Sequence, residues 1–258
     1  DFIKNMIMGC TGNYSMTKLL EEVRKRNRIK IIRPMIESRI ASGSTDPSLH
    51  SAFGIVCIDS NNRPDVFLKE NLYYDTLIVG GFCEKQDPVL ACLAYEKGGN
   101  SDELIAVCVS NSLFKILARY VILKKDPELW VKVLDPVNDY RRSLIEQASQ
   151  SAVTESFDPE CVTVFVRALM IADLPHDLVE LLEKIVLVDS PYRSFRNLQN
   201  LLLLTAIKSD PSRIIDFVNR LDNFDAASIA GVAIDNKLYE EAFAIYKKFQ
   251  VHDSAVKV

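Results

Sequence analysis

Five Asp-Pro pairs constrain the fold of this chain more than any other feature: Asp46-Pro47, Asp87-Pro88, Asp126-Pro127, Asp158-Pro159 and Asp210-Pro211. Each stands just ahead of a run that reads as helix, and together they hold five of the chain's ten prolines. Asp is a strong N-cap because its carboxylate accepts the orphan N–H groups of the first helical turn. Proline suits the next position, where the missing N–H costs nothing and the fixed φ already matches the helix. A start signal repeated at intervals of 41, 39, 32 and 52 residues punctuates a series of helices and predicts an array rather than one enclosed core. A further pair, Asp135-Pro136, runs into Val137-Asn138 and reads as a linker.

Helical period dominates between these starts. Met16, Leu19, Leu20 and Val23 share one face, as do Tyr140, Leu144, Ile145, Ala148 and Ala152. The spacing recurs at Leu178, Leu181, Leu182 and Ile185, and at Leu238, Ala242, Ile245 and Phe249. Glu21 with Lys25, Glu22 with Arg26 and Glu180 with Lys184 are i,i+4 pairs in the favourable orientation. Val162-Thr163-Val164-Phe165-Val166 has the β-branched content of a strand, but its capped start and its continuation through Ala168, Leu169 and Met170 predict a helix. Short punctuators such as Gly98-Gly99-Asn100 and Asp235-Asn236 make successive helices antiparallel neighbours. The expectation is an all-α chain of some 16 to 18 helices of ordinary length. Hairpins repeating every ~30 to 40 residues belong to an α-solenoid, here an elongated, right-handed superhelix of short antiparallel hairpins.

A chain of 258 residues that is 48% hydrophobic and 26% charged is globular rather than disordered. Its net charge of −4 offers no bulk attraction to nucleic acid or anionic lipid. No stretch approaches the ~18 apolar residues of a membrane span. The six cysteines contain no CxxC pair and read as reduced, buried thiols rather than a disulfide framework. A first residue of Asp1 in place of Met reads as a fragment.

Signals for chemistry are sparse. The nine glycines form neither a phosphate loop nor a dinucleotide fingerprint, and HExxH and GxSxG are absent. His50, His176 and His252 stand more than 70 residues apart, each near a helix start or turn, and read as surface or capping residues. Asp102-Glu103, Asp126 with Glu128, and Asp158 with Glu160 fall at helix N-termini, where acids complement the macrodipole. Glu240-Glu241 is a fourth acidic spot. No catalytic residue, cofactor, metal or nucleic-acid partner is expected, and the chain does not read as an enzyme. Trp130, the only tryptophan, reads as packing between hairpins. Two features remain as candidate contacts with another polypeptide. One is the basic stretch at residues 18–33, whose Arg24, Lys25, Arg26 and Arg28 face only Glu21 and Glu22 locally. The other is the aromatic pair Tyr73 and Tyr74 beside a loop.

Longer strings carry a resemblance. Glu22-Val23-Arg24-Lys25-Arg26-Asn27-Arg28, Ile58-Asp59-Ser60-Asn61-Asn62, Asn71-Leu72-Tyr73-Tyr74-Asp75 and Cys83-Glu84-Lys85-Gln86-Asp87-Pro88 resemble the clathrin heavy-chain family. So do Asn111-Ser112-Leu113-Phe114-Lys115, Lys125-Asp126-Pro127-Glu128-Leu129-Trp130, Tyr140-Arg141-Arg142 and Ala172-Asp173-Leu174-Pro175. Glu180-Leu181-Leu182-Glu183-Lys184-Ile185-Val186-Leu187, Arg196-Asn197-Leu198-Gln199-Asn200-Leu201-Leu202 and Glu240-Glu241-Ala242-Phe243-Ala244-Ile245 extend it to the last third. Val79-Gly80-Gly81-Phe82, where adjacent glycines weaken a helix start, and Asp135-Pro136-Val137-Asn138 depart from the family pattern.

The resemblance implies a leg segment of the clathrin triskelion, from the distal leg towards the knee, built of heavy-chain repeats at residues 1–111 and 112–258. It implies a structural role in polyhedral lattice assembly, vesicle budding, endocytosis and intracellular transport, at the cytoplasmic face of coated pits and coated vesicles. The implied partners are other heavy chains in the lattice. The light chain would bind outside this segment, and adaptors, not direct insertion, would hold the coat at the membrane. Arg24, Lys25, Arg26, Arg28, Tyr73 and Tyr74 would then be contacts between legs. The alternative is a clathrin-repeat binding module of a vacuolar sorting or tethering complex.

Overall fold

A computed structural model describes residues 15–26, 28–155, 158–188 and 192–251. Those residues hold sixteen α-helices and no strand. In the first half these are α1 (Met16–Lys25), α2 (Arg33–Ala41), α3 (Pro47–Asp59), α4 (Pro64–Glu70), α5 (Thr76–Cys83), α6 (Pro88–Gly98), α7 (Ser101–Ser110) and α8 (Phe114–Lys124). They are followed by α9 (Pro127–Val133), α10 (Arg141–Thr154), α11 (Pro159–Ile171), α12 (Pro175–Val186), α13 (Arg196–Ser209), α14 (Ile214–Arg220), α15 (Ala226–Asp235) and α16 (Tyr239–Lys248). Two single 3-10 turns, Ile29–Ile31 and Pro211–Arg213, complete the order.

Four of the five Asp-Pro starts act as predicted. Asp46, Asp87, Asp126 and Asp158 each place a carboxylate oxygen on the N–H two residues ahead, at 3.0, 2.9, 2.9 and 3.2 Å. The fifth is different. The Asp210 carboxylate accepts the Ser212 hydroxyl at 2.6 Å instead, and Pro211 opens a 3-10 turn. α14 begins only at Ile214, after Arg213 has reached Glu183 at 2.6 Å and stacked over Phe217 at 4.9 Å. A side-chain hydroxyl competing for the cap shifts this helix start by three residues. In the linker, Asp135 accepts the Val137 N–H at 2.9 Å and makes a turn.

The segment with strand-like composition lies inside α11, where Phe165 and Leu169 are fully buried. Tertiary burial of that face outweighs β propensity. Glu22 collects both Lys25 at 3.0 Å and Arg26 at 3.8 Å, so the expected Glu21–Lys25 pair gives way to an i,i+3 contact. Gly80 and Gly81 lie within α5, not at a helix start.

The described residues fall into two compact units divided between Leu117 and Ala118, inside α8. Within each unit, every helix pair in substantial contact lies one or two places apart in the order. α3 packs on α4 and α5, and α6 on α4, α5 and α7; α13 packs on α12, α14 and α15, and α16 on α14 and α15. Neighbour-only contact is the defining property of a solenoid. Each core is a chain of local cores: Ile36, Val56, Val79, Cys83 and Leu104 in the first unit, and Trp130, Leu144, Phe165, Leu181, Phe217 and Ile245 in the second.

The two units reuse one local design. Near the start of α3, buried His50 ties the loops on either side of the helix pair. Its Nε2–H donates to the Ser44 carbonyl at 2.8 Å, and its Nδ1 accepts from the Asn71 amide at 2.8 Å. At the same place in α13, buried Gln199 donates to the Arg193 carbonyl at 2.6 Å and accepts from the Asn223 N–H at 2.8 Å. The next residues match as well: Ser51 Oγ accepts the Asp75 N–H and Asn200 Oδ1 the Asp225 N–H, both at 2.8 Å. Asp75 and Asp225 then cap α5 and α15. His50 is therefore an internal hydrogen-bonding residue and not the surface or capping residue expected, because its two ring nitrogens satisfy two loops at once. His176 is exposed near the start of α12, and His252 lies outside the described residues.

Candidate contact surface

The basic candidates stand at the end of α1, which forms because Met16 and Leu20 bury on one side and the charged residues remain on the other. Arg24, Lys25, Arg26 and Arg28 are all exposed. Arg24 is not free to reach outward without loss, since its guanidinium lies 4.6 Å over the buried Phe82 ring, a cation–π contact. Lys25 and Arg26 share Glu22, whose carboxyl is held below its usual range chiefly by the hydrogen bond from Lys25. Arg28 presents its side chain at the head of the Ile29–Ile31 turn.

The two tyrosines separate. Tyr73 remains 46% exposed and rests against His50 with ring centroids 5.0 Å apart. Tyr74 is 7% exposed and donates to the Leu68 carbonyl at 3.0 Å, with its ring 5.5 Å from that of Phe67. Burial pushes its phenol up to about 12. Tyr74 is thus a packing residue and presents nothing to a partner. Around Tyr73 the structure adds Leu72, Leu77 and Ile78, exposed apolar side chains on either side of the Asp75 cap. Helical spacing hid them, because it assigns apolar residues to a core and the first turn of α5 points two of them outward.

Elsewhere, a cleft of about 490 Å³ between α10, α12 and the Pro211–Arg213 turn is lined by Arg141, Arg142, Glu146, His176, Asp177 and Arg213, among others. Its charges oppose one another. Burial raises the Asp177 carboxyl, Glu180 adds to that, and Arg141 and Arg142 act against it. Among the described residues, no group of three or more His, Cys, Asp or Glu side chains could hold a metal ion. Among them, too, no helix is long and apolar enough to cross a membrane. The acidic spots have structural partners. All four lie at helix N-termini, and Asp158 and Glu160 also hold Lys125 at 2.7 and 2.5 Å. Trp130 is fully buried and stacks on Phe165 at 4.6 Å and 18°.

A family model described as the region in clathrin and VPS matches residues 12–145 and 153–258. The matched stretches break inside α10, and the compact units divide inside α8. Over all 258 residues the chain is 54% identical to the clathrin heavy chain of Drosophila melanogaster, covering 15% of that protein. It is 52% identical to clathrin heavy chain 2 of Homo sapiens, covering 16%, and 51% identical to clathrin heavy chain 1 of Arabidopsis thaliana, covering 15%. The chain therefore spans about a sixth of the length of the curated relatives it matches. An all-helical, neighbour-packed architecture, the family match over most of the chain and identity above one half to a heavy chain lead to one conclusion: the chain belongs to the clathrin heavy-chain family.

Proposed function

We propose that this chain is a structural coat segment, part of the leg of a triskelion that assembles into a polyhedral lattice during vesicle budding and intracellular transport. The observation that carries the proposal is the match to a heavy chain over all 258 residues, at 54% identity. Heavy-chain relatives favour this reading over a sorting-complex module. The mechanism is mechanical. Short helices that touch only their neighbours bend a little at every junction, so strain spreads along the segment. Many weak, polar contacts between legs let a lattice form and come apart.

The partners in this reading are other heavy chains, with the light chain docking elsewhere on the leg and adaptors linking the coat to the cytoplasmic face of the membrane. The repeats hand over at 111/112, in the turn where Ser112 takes a positive φ of 56°. The matched pairs in α3–α6 and α13–α16 then fall one in each repeat. The inter-leg contacts are Lys25, Arg26, Arg28 and Tyr73. Arg24 supports them through Phe82.

The test uses the full-length heavy chain that carries this segment. The unsubstituted protein should form cages that sediment and are visible by electron microscopy; failure to form them overturns the coat reading. Reversing charge at Lys25, Arg26 and Arg28 should raise the protein concentration needed for assembly. Unchanged assembly removes that patch from the contact and leaves the coat reading standing.

A further inference from the structure

Five of the six cysteines lie among the described residues, and all five are free and buried. Two of them meet. Cys92 on α6 and Cys108 on α7 place their sulfurs 3.5 Å apart. The reason is the hairpin: Cys92 stands seven residues before Gly99 and Cys108 eight residues after Asn100. At equal rise per residue both arrive at the same height on facing sides of two antiparallel helices. Gly99 makes the turn possible by adopting φ +69°.

We propose that Cys92 and Cys108 form a dithiol site that a hydroperoxide converts reversibly to a disulfide, tying α6 to α7. The sulfurs already sit in contact, ~1.5 Å beyond a disulfide bond of about 2.05 Å. Either thiol can donate the hydrogen bond that joins the two sulfurs, and the sulfur that accepts it is the one eased towards thiolate. Burial raises the Cys57 thiol and pushes Cys83 up to about 12, which disfavours the thiolate at both.

The chemistry balances in two steps. The thiolate of one cysteine attacks one oxygen of hydrogen peroxide, the O–O bond breaks, and the departing oxygen takes a proton and leaves as water. That cysteine is then a sulfenic acid. The sulfur of the other attacks it, the S–S bond forms as the S–O bond breaks, and the proton lost by the second thiol leaves with that oxygen as a second water. Two thiols are oxidised and one peroxide is reduced. Because both sulfurs are buried, the first step waits on a local opening of the hairpin, and a thiol reductant restores the pair by exchange.

The experiment exposes the full chain to hydrogen peroxide, denatures it, alkylates the remaining thiols and maps tryptic peptides without reduction. Lys85, Lys97 and Lys115 place Cys92 and Cys108 on separate peptides. The expected result is loss of both free-thiol peptides, gain of one cross-linked species lighter by two hydrogens, and its reversal by dithiothreitol. Cys57, Cys83 and Cys161 should stay alkylatable. In C92S and in C108S the cross-linked species should be absent, and the remaining cysteine of the pair should be trapped by dimedone as a sulfenic acid. Full alkylation of both residues at a dose that oxidises the unfolded chain overturns the proposal. So does either cysteine proceeding to sulfinic acid in the unsubstituted chain without a cross-link. The mapping of that chain decides the matter even where a variant fails to fold.

Discussion

Lys97 and Lys248, 151 residues apart in the chain, make the same contact. The Lys97 ammonium donates to the Leu68 and Lys69 carbonyls at 3.0 and 2.8 Å and to that of Asn71. The Lys248 ammonium donates to the Val218 and Asn219 carbonyls at 2.6 and 3.2 Å and to that of Leu221. Each lysine thus closes the C-terminal end of a seven-residue helix, α4 or α14. The last carbonyls of a helix have no partner within it and carry partial negative charge. A helix of two turns has little else to hold its end, so a lysine from a later helix both satisfies it and pins the stack.

Replacing Lys97 or Lys248 by Met keeps the aliphatic stem and removes the donor. Each change should cost roughly 2 kcal/mol, the scale of hydrogen bonds from a charged donor, read as a lower midpoint in urea. The two lysines share no partner, so the double variant should lose the sum of the single effects.

Gly80 and Gly81 are adjacent and should respond oppositely to alanine. A Cβ on Gly80 would stand 2.4 Å from Cε1 of Tyr95, while one on Gly81 meets only the Tyr95 hydroxyl at 3.8 Å. Tyr95 is fixed by burial and by its hydrogen bond to Glu84 at 2.5 Å. G80A should destabilise by about 1 to 3 kcal/mol through overpacking. G81A should stabilise by up to about 1 kcal/mol through helix propensity. Thermal unfolding followed by circular dichroism distinguishes them.

Trp130 supplies its own probe. Its Nε1 has no hydrogen-bond partner among the described residues, so W130F sacrifices no bond and should cost about 1 kcal/mol. F165A opens a cavity against the stacked ring and should cost about 3 to 5 kcal/mol. The fluorescence of the sole tryptophan should move towards longer wavelength in F165A. An unmoved emission maximum together with unchanged stability would contradict the stacking.

Tyr74 predicts an alkaline limit. Its folded pKa of about 12 lies above the ordinary value of 10.0, so the neutral phenol is the form that the fold favours. The stability it contributes is complete below pH 10 and is lost as pH rises from 10 towards 12, by about 2 to 3 kcal/mol at most. Y74F should lose about 1 kcal/mol at neutral pH with the bond to Leu68 and should show a shallower fall in urea midpoint across that alkaline window.

Most of the element order was legible because its causes are local. Asp46, Asp87, Asp126 and Asp158 cap helices with N–H groups two residues away, and a period of 3.6 marks the buried face of α10 and α12 wherever it occurs. Contact geometry was not legible. Tyr73 and Tyr74 look alike in sequence, yet one is exposed and the other bonds Leu68 inside the stack. Arg24 reads as one of a basic cluster and lies over Phe82.

The sequence by itself determined most of the helix starts, the helical class of the described residues, and which family the chain resembles. These depend on residues within a turn of one another, or on long matching words. Only the tertiary structure decided that Arg213 pairs with Glu183, that His50 ties two loops, and that Cys92 meets Cys108. It alone decided that Lys97 and Lys248 cap helices far behind them. The physical reason is that the register of one hairpin on the next sets which distant side chains share a site, and that register is a sum over many packing contacts with no local signature.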